Sequence, residues 1–140
     1  MRKGFAAKLV AAGLMAVLIV GCATMGGAKD QKAIEKTLAD WKAALEKQDV
    51  DGMMAFYSED FTNERGNSKA EVQEFFQGVK DQGYLEGATA DVSTAKITIE
   101  DGTAKVEPIT LSSDAGSLDA SLVLKKEGKV WLIAGSEMNQ

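Results

Sequence analysis

Few side chains in this sequence could carry out covalent or metal chemistry, and a single cysteine is the first of them. The chain of 140 residues contains one cysteine, Cys22, and no histidine. The lack of histidine excludes Ser-His-Asp and Cys-His nucleophile systems and histidine-based metal sites. Asp49 and Asp51 superficially suggest a calcium site, but no twelve-residue calcium-loop pattern follows them. Because no glycine-rich phosphate loop is present either, the sequence predicts no catalytic residue, no metal ion and no cofactor.

Cys22 closes an apolar run, and the residues before it are typical of an export signal. Three basic residues lie at or before the start of the run 9–21, and Gly21 stands immediately before the cysteine. A basic start, about a dozen apolar residues and a small residue at the cleavage point characterise such signals. The run is also shorter than the roughly 20 residues that a spanning helix needs. We therefore expect export followed by cleavage between Gly21 and Cys22.

The segment 19–22 resembles a bacterial lipobox, since an aliphatic residue stands three positions before the cysteine, glycine one before it and Ala23 after it. The resemblance implies that Cys22 is acylated, and each buried methylene of an acyl chain contributes about 0.8 kcal/mol to membrane binding. A plain secretory signal followed by a free thiol is the alternative. Alanine after the cysteine implies the outer membrane, with the domain facing the periplasm.

Removal of the signal makes the rest of the chain strongly acidic. The whole chain carries a formal charge of −5, and loss of its three N-terminal basic residues leaves 13 basic against 21 acidic residues, a charge of −8. An acidic surface argues against nucleic-acid binding and against electrostatic docking on anionic lipid. We therefore expect no nucleic-acid partner and a membrane contact that depends on the lipid anchor.

The pattern after the signal fits one domain behind a short tether. Residues 1–21 are the predicted signal peptide, 22–29 the lipidated cysteine and tether, and 30–140 the folded domain. Helical spacing of apolar residues predicts a first helix capped by Asp30 and a short second helix that includes Tyr57. A capping box of the S-x-x-E form then opens a third helix.

From residue 88 onward the apolar residues alternate with polar ones, which predicts strands. The predicted strand segments are 89–100, 103–112, 117–126 and 129–138. Asp101-Gly102 is a two-residue hairpin signal, and changes of phase near Ser93 and at Pro108 predict bulges. Bulged strands bend, so the sequence predicts an α+β fold in which three N-terminal helices pack on a curved antiparallel sheet.

The order of four stretches carries a family resemblance. They are 34–44, 49–61, Phe75-Phe76 and 128–133. This order resembles the nuclear transport factor two-like superfamily, the cystatin-like cone that includes ketosteroid isomerases and polyketide cyclases. The resemblance implies a pocket between the helices and the concave side of the sheet.

The resemblance also implies where catalytic machinery would lie. Isomerase members use a tyrosine on the first helix, an aspartate base after the second and a proton-donating aspartate on a later strand. The matching positions here hold Trp41, Arg65 beside Glu64, and a strand on which Asp119 has the wrong parity to face the pocket. We therefore expect binding without catalysis; an isomerase, cyclase or dehydratase that uses carboxylate and tyrosine chemistry is the alternative.

Aromatic side chains are the predicted lining of that pocket, because ligand cavities are mostly apolar with a few polar groups. The candidate residues are Trp41, Phe56, Tyr57, Phe61, Phe76, Tyr84 and Trp131. Ordinary core packing is the alternative role for each of them. The expected occupant is a small or extended apolar ligand or a partner protein. A third hypothesis is a homodimeric assembly module that pairs through the outer face of the sheet, where Val123 lies among polar residues.

The anchor can be tested at Cys22 itself. In Cys22→Ser the basic start and the apolar run remain, so export should begin, but the only sulfur that can accept lipid is gone. We expect the wild type to incorporate labelled fatty acid and to partition into detergent. The variant should take up no label and keep its signal. A Cys22→Ser protein that still carries labelled fatty acid would contradict the assignment.

Overall fold

The computed structural model describes the backbone of residues 15–139 and the side chains of residues 27–139. Most of the predicted signal peptide therefore lies outside the described residues, as do the side chains of Gly21 and Cys22. The chain divides into two units, Met1–Lys32 and Ala33–Gln140. Because every residue of the hydrophobic core among the described side chains falls in the second unit, that unit is expected to fold on its own.

The described chain forms three helices and six strands. The helices are α1 (Met15–Glu46), α2 (Val50–Met54) and α3 (Lys69–Asp81). The strands are β1 (Tyr57–Asn63), β2 (Thr89–Asp91), β3 (Lys96–Glu100), β4 (Thr103–Ser113), β5 (Gly116–Glu127) and β6 (Val130–Asn139). Among the described residues, no helix combines the length and apolarity needed to cross a membrane.

The strands form one mixed sheet that is antiparallel apart from a single pair. The strand order is β1-β6-β5-β4-β2, and β3 also pairs with β4. Only β1 and β6 run parallel. The register of β4 against β5 shifts between Val106 and Ile109, so the bulge expected at Pro108 is confirmed. With the helices packed on its concave face, this sheet gives the α+β, cystatin-like architecture that the sequence predicted.

Two turns explain how the predicted strand 89–100 and its hairpin are built. The segment divides into β2 and β3 because Asp91 Oδ1 accepts hydrogen bonds from both the backbone N and Oγ of Ser93, at 2.9 and 2.6 Å. The change of phase is thus a break between two strands. Asp101 and Gly102 have φ of 51° and 78°, the left-handed conformation that a tight two-residue hairpin requires.

Two helix boundaries differ from the predicted ones. Asp30 lies inside α1, which the structure describes from Met15 onward, so Asp30 is not its N-cap and residues 22–29 are helical. Alanine, methionine and lysine in that stretch are good helix formers, and they outweigh two glycines that cost about 1 kcal/mol each. Tyr57 belongs to β1 and not to the second helix, because the backbone N of Ile133 in β6 donates to Phe56 O at 2.8 Å and draws the chain into the sheet.

α1 packs its predicted apolar stripe on the sheet. Ile34, Leu38, Trp41 and Leu45 are all at most 5% exposed. Between them, buried Thr37 donates its hydroxyl to Trp131 O at 2.9 Å. This face of α1 therefore both packs in the core and hydrogen-bonds to the start of β6.

Lys42 holds the polar side of α1 against β2. Its Nζ donates to Ala90 O at 2.7 Å, to Thr89 Oγ1 at 3.2 Å and to Glu46 Oε2 at 2.7 Å. The hydrogen bonds from Lys42 and Thr89 hold the pKa of Glu46 below its ordinary value. All three donors of the ammonium group are thus used in positioning the helix.

α3 is fixed at both ends by the expected signals. Ser68 and Glu71 form a reciprocal capping box at its start, and Gly83 has φ of 82° just beyond its C-cap. Of its residues only Val72 is buried, so most of the apolar face of α3 remains open on one side.

Replacing Lys42→Met should loosen the attachment of α1 to β2. The methionine keeps most of the side-chain volume but leaves Ala90 O and Thr89 Oγ1 without their donor, which should cost about 1–2 kcal/mol of unfolding free energy. Lys36→Met is the matched control on the same helix, because its ion pair with Asp40 is highly exposed and should contribute less than about 0.5 kcal/mol. Urea unfolding measures both. Equal losses in the two variants would contradict the role of Lys42.

A candidate ligand-binding cavity

A cavity of about 1130 Å³ lies between α1, α3 and the sheet. This volume is slightly above the range of ordinary small-molecule sites, which run from about 300 to 1,000 Å³. Its apolar wall consists of Trp41, Leu45, Tyr57, Val72, Phe75, Phe76, Val79, Tyr84, Leu85, Ala88, Ile109, Leu111, Leu118, Ala120, Leu122 and Met138. The lining of the cavity thus comes from the last turns of α1, from α3 and from the adjoining ends of β4, β5 and β6.

One hydroxyl group lies deep in this apolar wall. Trp41 Nε1 donates a hydrogen bond to Tyr57 Oη at 3.3 Å, and both residues are at most 4% exposed. The ring of Tyr57 also packs edge-on against Phe61, with 5.0 Å between ring centroids. Burial raises the pKa of Tyr57 to about 12, against the lowering effect of the hydrogen bond from Trp41. Tyr57 therefore stays protonated at neutral pH.

The mouth of the cavity is apolar on one side. Phe75, Tyr84 and Leu118 all line the cavity and are 59%, 52% and 42% exposed. Large exposed apolar groups that gather in one place often mark a binding site. Three of the four large exposed apolar side chains recorded for the described chain lie at this mouth.

The other side of the mouth is a polar turn after β1. Asn63 Oδ1 accepts hydrogen bonds from the backbone N of Arg65 and of Asn67, both at 2.9 Å. This turn places Glu64 and Arg65 at the rim, where both are exposed.

Three carboxylate residues line the cavity, and all three are exposed: Glu64, Glu71 and Asp119. Among residues 27–139, no aspartate or glutamate is buried. Glu71 lines the cavity but accepts a hydrogen bond from Ser68 N in the capping box. Asp119, which strand parity predicted to point away from the pocket, also belongs to the lining. It is exposed and accepts a hydrogen bond from Thr110 Oγ1 at 2.7 Å. Among the described lining residues, Tyr57 is therefore the only buried acid–base group.

The structure brings four of the seven candidate aromatic residues together. Trp41, Tyr57, Phe76 and Tyr84 line the cavity. Phe56, Phe61 and Trp131 do not.

The excluded residues have other neighbours. Phe61 packs against the ring of Tyr57 from outside the lining. Trp131 is the second residue of β6, where its carbonyl oxygen accepts a hydrogen bond from the hydroxyl of Thr37 and its side chain is 1% exposed in the core. Phe56 packs half-buried at the margin of the same core.

Residue type alone missed the aliphatic part of the lining. Leu111, Leu118, Ala120 and Met138 contribute to the wall from neighbouring strand ends. The alternation of Leu118, Ala120 and Leu122 was the available signal, since it places all three on one face of the sheet. The position of that face relative to α3 could not be read from the alternation.

A metal site has no support in the described part of the chain, where no three histidine, cysteine, aspartate or glutamate side chains cluster as ligands. Asp49 caps α2 instead, its Oδ1 accepting a hydrogen bond from Gly52 N at 3.0 Å. Asp51 accepts a hydrogen bond from Gln73 of α3 at 2.9 Å.

Helices packed on the concave face of a curved sheet, with a cavity between them, define the cystatin-like, nuclear transport factor two-like class of folds. The profile of the SnoaL-like domain family matches residues 34–137. The chain therefore belongs to the SnoaL-like domain family. A search of curated proteins found no match to this sequence.

Solved structures of low sequence identity share the fold. A cystatin-like protein of unknown function from Nostoc punctiforme is 21% identical, with a TM-score of 0.63 over 78% of this chain and 89% of that one. A nuclear transport factor two-like protein of unknown function from Shewanella oneidensis is 16% identical, with a TM-score of 0.63 over 79% and 99%. A candidate scytalone dehydratase from Novosphingobium aromaticivorans is 15% identical, with a TM-score of 0.68 over 83% and 87%.

Burial of the Tyr57 hydroxyl makes the free energy of unfolding depend on pH in the alkaline range. The pKa of Tyr57 is raised from 10.0 to about 12 by folding. The contribution of the protonated hydroxyl to the free energy of unfolding is therefore fully present below pH 10 and is lost as the pH rises towards 12. The loss should be about 1.4 kcal/mol per pH unit in that window. Urea unfolding at pH 9 and pH 11 measures it.

Tyr57→Phe should reduce this pH dependence, whereas Tyr84→Phe, which alters the other tyrosine of the chain, should retain it because Tyr57 remains. An unchanged dependence in Tyr57→Phe would show that the hydroxyl is not buried as described.

Proposed function

We propose that this protein is a lipid-anchored binding protein of the cell envelope whose cavity takes up a small or extended apolar ligand. The observation that carries the proposal is an apolar cavity of about 1130 Å³ that holds a single buried hydroxyl and no buried carboxylate among the described residues. Apolar burial is worth about 25 cal/mol per Å². A ligand of modest size could therefore bind through this wall without any charged contact.

The anchor part of the proposal is supported by the sequence. Cys22 is the only cysteine and stands where a lipobox requires it. The acidic domain that follows has no electrostatic attraction to anionic lipid, so acyl chains on Cys22 would supply the membrane contact. Outer-membrane placement, facing the periplasm, is part of the same proposal and is supported by Ala23.

An isomerase, cyclase or dehydratase is the second proposal, because the buried Tyr57 can donate a proton and a relative of the same fold is a candidate dehydratase. Such an enzyme ordinarily pairs an acid with a base at the reacting atoms. Glu64, Glu71 and Asp119 line the cavity, and none of them is buried. The geometry therefore favours binding over catalysis.

A homodimer through the outer face of the sheet has less support. Val123 is half-buried there, while Lys125 in the same strand forms ion pairs with Asp60 and Glu127 at 3.2 and 3.7 Å. Charged residues are depleted from interface cores. Light scattering of residues 29–140 at micromolar concentration distinguishes a monomer from a homodimer, and we expect a monomer.

Ligand binding can be tested with the neutral apolar dye 1-N-phenylnaphthylamine and residues 29–140. We expect its fluorescence to rise on binding and Leu118→Glu to weaken binding at least about tenfold, because a carboxylate at the mouth must be desolvated when the dye enters. Val130→Glu is the matched control, since Val130 is also exposed but does not line the cavity.

Equal binding in the two variants would contradict binding in this cavity. No rise in dye fluorescence with the wild-type protein would reject the proposal. Native mass spectrometry of cell-purified protein is a separate measurement that would identify a natural ligand by its mass.

A further inference from the structure

We infer that the free edge of β3 binds a second copy of this chain, so that two β3 strands pair antiparallel about a two-fold axis at Thr98. No residue of β3 lines the cavity, and a strand edge is a different surface from the outer face of the sheet. The pairing therefore does not depend on the proposed function. The second copy is named as the partner because β3 reads Lys96-Ile97-Thr98-Ile99-Glu100, a sequence whose charges complement themselves in reverse order.

β3 has one side free at the end of the sheet. Among the described strands it pairs only with β4, from Lys96 opposite Glu107 to Glu100 opposite Thr103. An exposed strand edge presents unpaired N–H and C=O groups to another chain. A strand of the second copy can therefore extend the sheet here through backbone hydrogen bonds.

The hairpin turn determines which backbone groups of β3 face the free side. Glu100 and Thr103 flank the two-residue turn, so they form the closing hydrogen-bonded pair of the hairpin. Hydrogen-bonded and non-hydrogen-bonded pairs alternate along an antiparallel ladder. Every second residue of β3, counted back from Glu100, thus bonds to β4. The N–H and C=O groups of the two residues in between, Ile97 and Ile99, point outward.

Pairing two copies through these groups brings opposite charges together. With Ile97 opposite Ile99 of the second copy, about four backbone hydrogen bonds can form. Lys96 then lies opposite Glu100 of the second copy, and the symmetry repeats this pair on the other side of the axis. Both side chains are exposed, and neither forms an ion pair in the described part of the chain. A register in which Lys96 or Glu100 faced its own copy would pair like charges, which is unfavourable.

The isoleucine side chains of β3 add an apolar contact on the opposite face. Ile97 and Ile99 are half-buried, and Ile97 borders a groove of about 470 Å³ beside α1. Leu38 and Val92 also line this groove. In the paired register, Ile99 of the second copy lies beside Ile97 on the same face of the sheet. Cross-strand pairs of this kind stabilise a ladder.

The contact is small, so the dimer should be weak. Pairing through β3, which has five residues, buries less than the roughly 1,200 Å² of a standard stable interface. We therefore expect a monomer at micromolar concentration and association only above about 0.1 mM. An anchor on one membrane, as proposed above, would raise the local concentration of the domain.

Charge exchange at the two ends of β3 tests the pairing in residues 29–140. Lys96→Glu should face Glu100 of the second copy with a like charge and weaken association at least about fivefold, as should Glu100→Lys. A mixture of the two variants should associate at least as tightly as wild type, because every facing pair is then oppositely charged. Lys80→Glu, at an exposed position of α3, is the matched control and should associate like wild type. Sedimentation equilibrium up to about 1 mM measures the dissociation constants.

Amide hydrogen exchange of wild type provides a second measurement that needs no variant. The N–H groups of Ile97 and Ile99 should exchange more slowly at about 1 mM than at about 0.05 mM protein, because pairing protects them. The N–H of Thr98, which already bonds to β4, should change less.

Three results would each overturn the pairing. The first is a wild type that stays monomeric at about 1 mM, with no added protection of Ile97 and Ile99. The second is association that neither Lys96→Glu nor Glu100→Lys weakens, because the copies would then meet through another surface. The third is a mixture of the two variants that does not recover association. Each of these results leaves dye binding in the cavity unaffected.

Discussion

The hydrogen bond between Trp41 Nε1 and Tyr57 Oη is the interaction on which the cavity depends. It joins α1 to β1 inside an apolar wall, at 3.3 Å and with both side chains buried. Tryptophan and tyrosine are the aromatic residues that bring a polar atom into a core, and such atoms must find partners. Here each supplies one for the other. The pair thereby fixes the polar point of a cavity that is otherwise mostly apolar.

The space around this pair follows from how the helices are attached. Thr37 joins α1 to Trp131 O, and Lys42 joins it to the backbone of β2, so the helix lies firmly along the sheet. α3 buries only Val72 and leaves Phe75 and Phe76 towards the opening. The sheet bends at the register shift beside Pro108. A firmly held α1, a lightly packed α3 and a bent sheet together leave room that side chains do not fill.

The fold could be predicted from sequence because its signals are local. The capping box at Ser68, the Asp101-Gly102 hairpin and the phase change at Pro108 each specify a backbone geometry within a few residues. The start of α1 was predicted wrongly because Asp30 is a good N-cap only if the preceding chain is not helical. Tyr57 was assigned to a helix because a local pattern cannot show the pairing of Phe56 with Ile133 in β6.

The candidate site could be predicted only in part. Trp41, Tyr57, Phe76 and Tyr84 were found by residue type, but type could not separate them from Phe61 and Trp131, which lie in the core outside the cavity lining. That distinction depends on contacts between elements distant in sequence. Strand parity predicted that Asp119 points away from the pocket, but Asp119 lies in the cavity lining, where it is exposed and accepts a hydrogen bond from Thr110.

A crystal structure of residues 29–140 with 1-N-phenylnaphthylamine tests the central claim most directly. The account predicts that the dye occupies the cavity between α1, α3 and the sheet, against Trp41 and Tyr57. The hydrogen bond from Trp41 Nε1 to Tyr57 Oη should remain in place. A dye bound only outside this cavity would contradict the account.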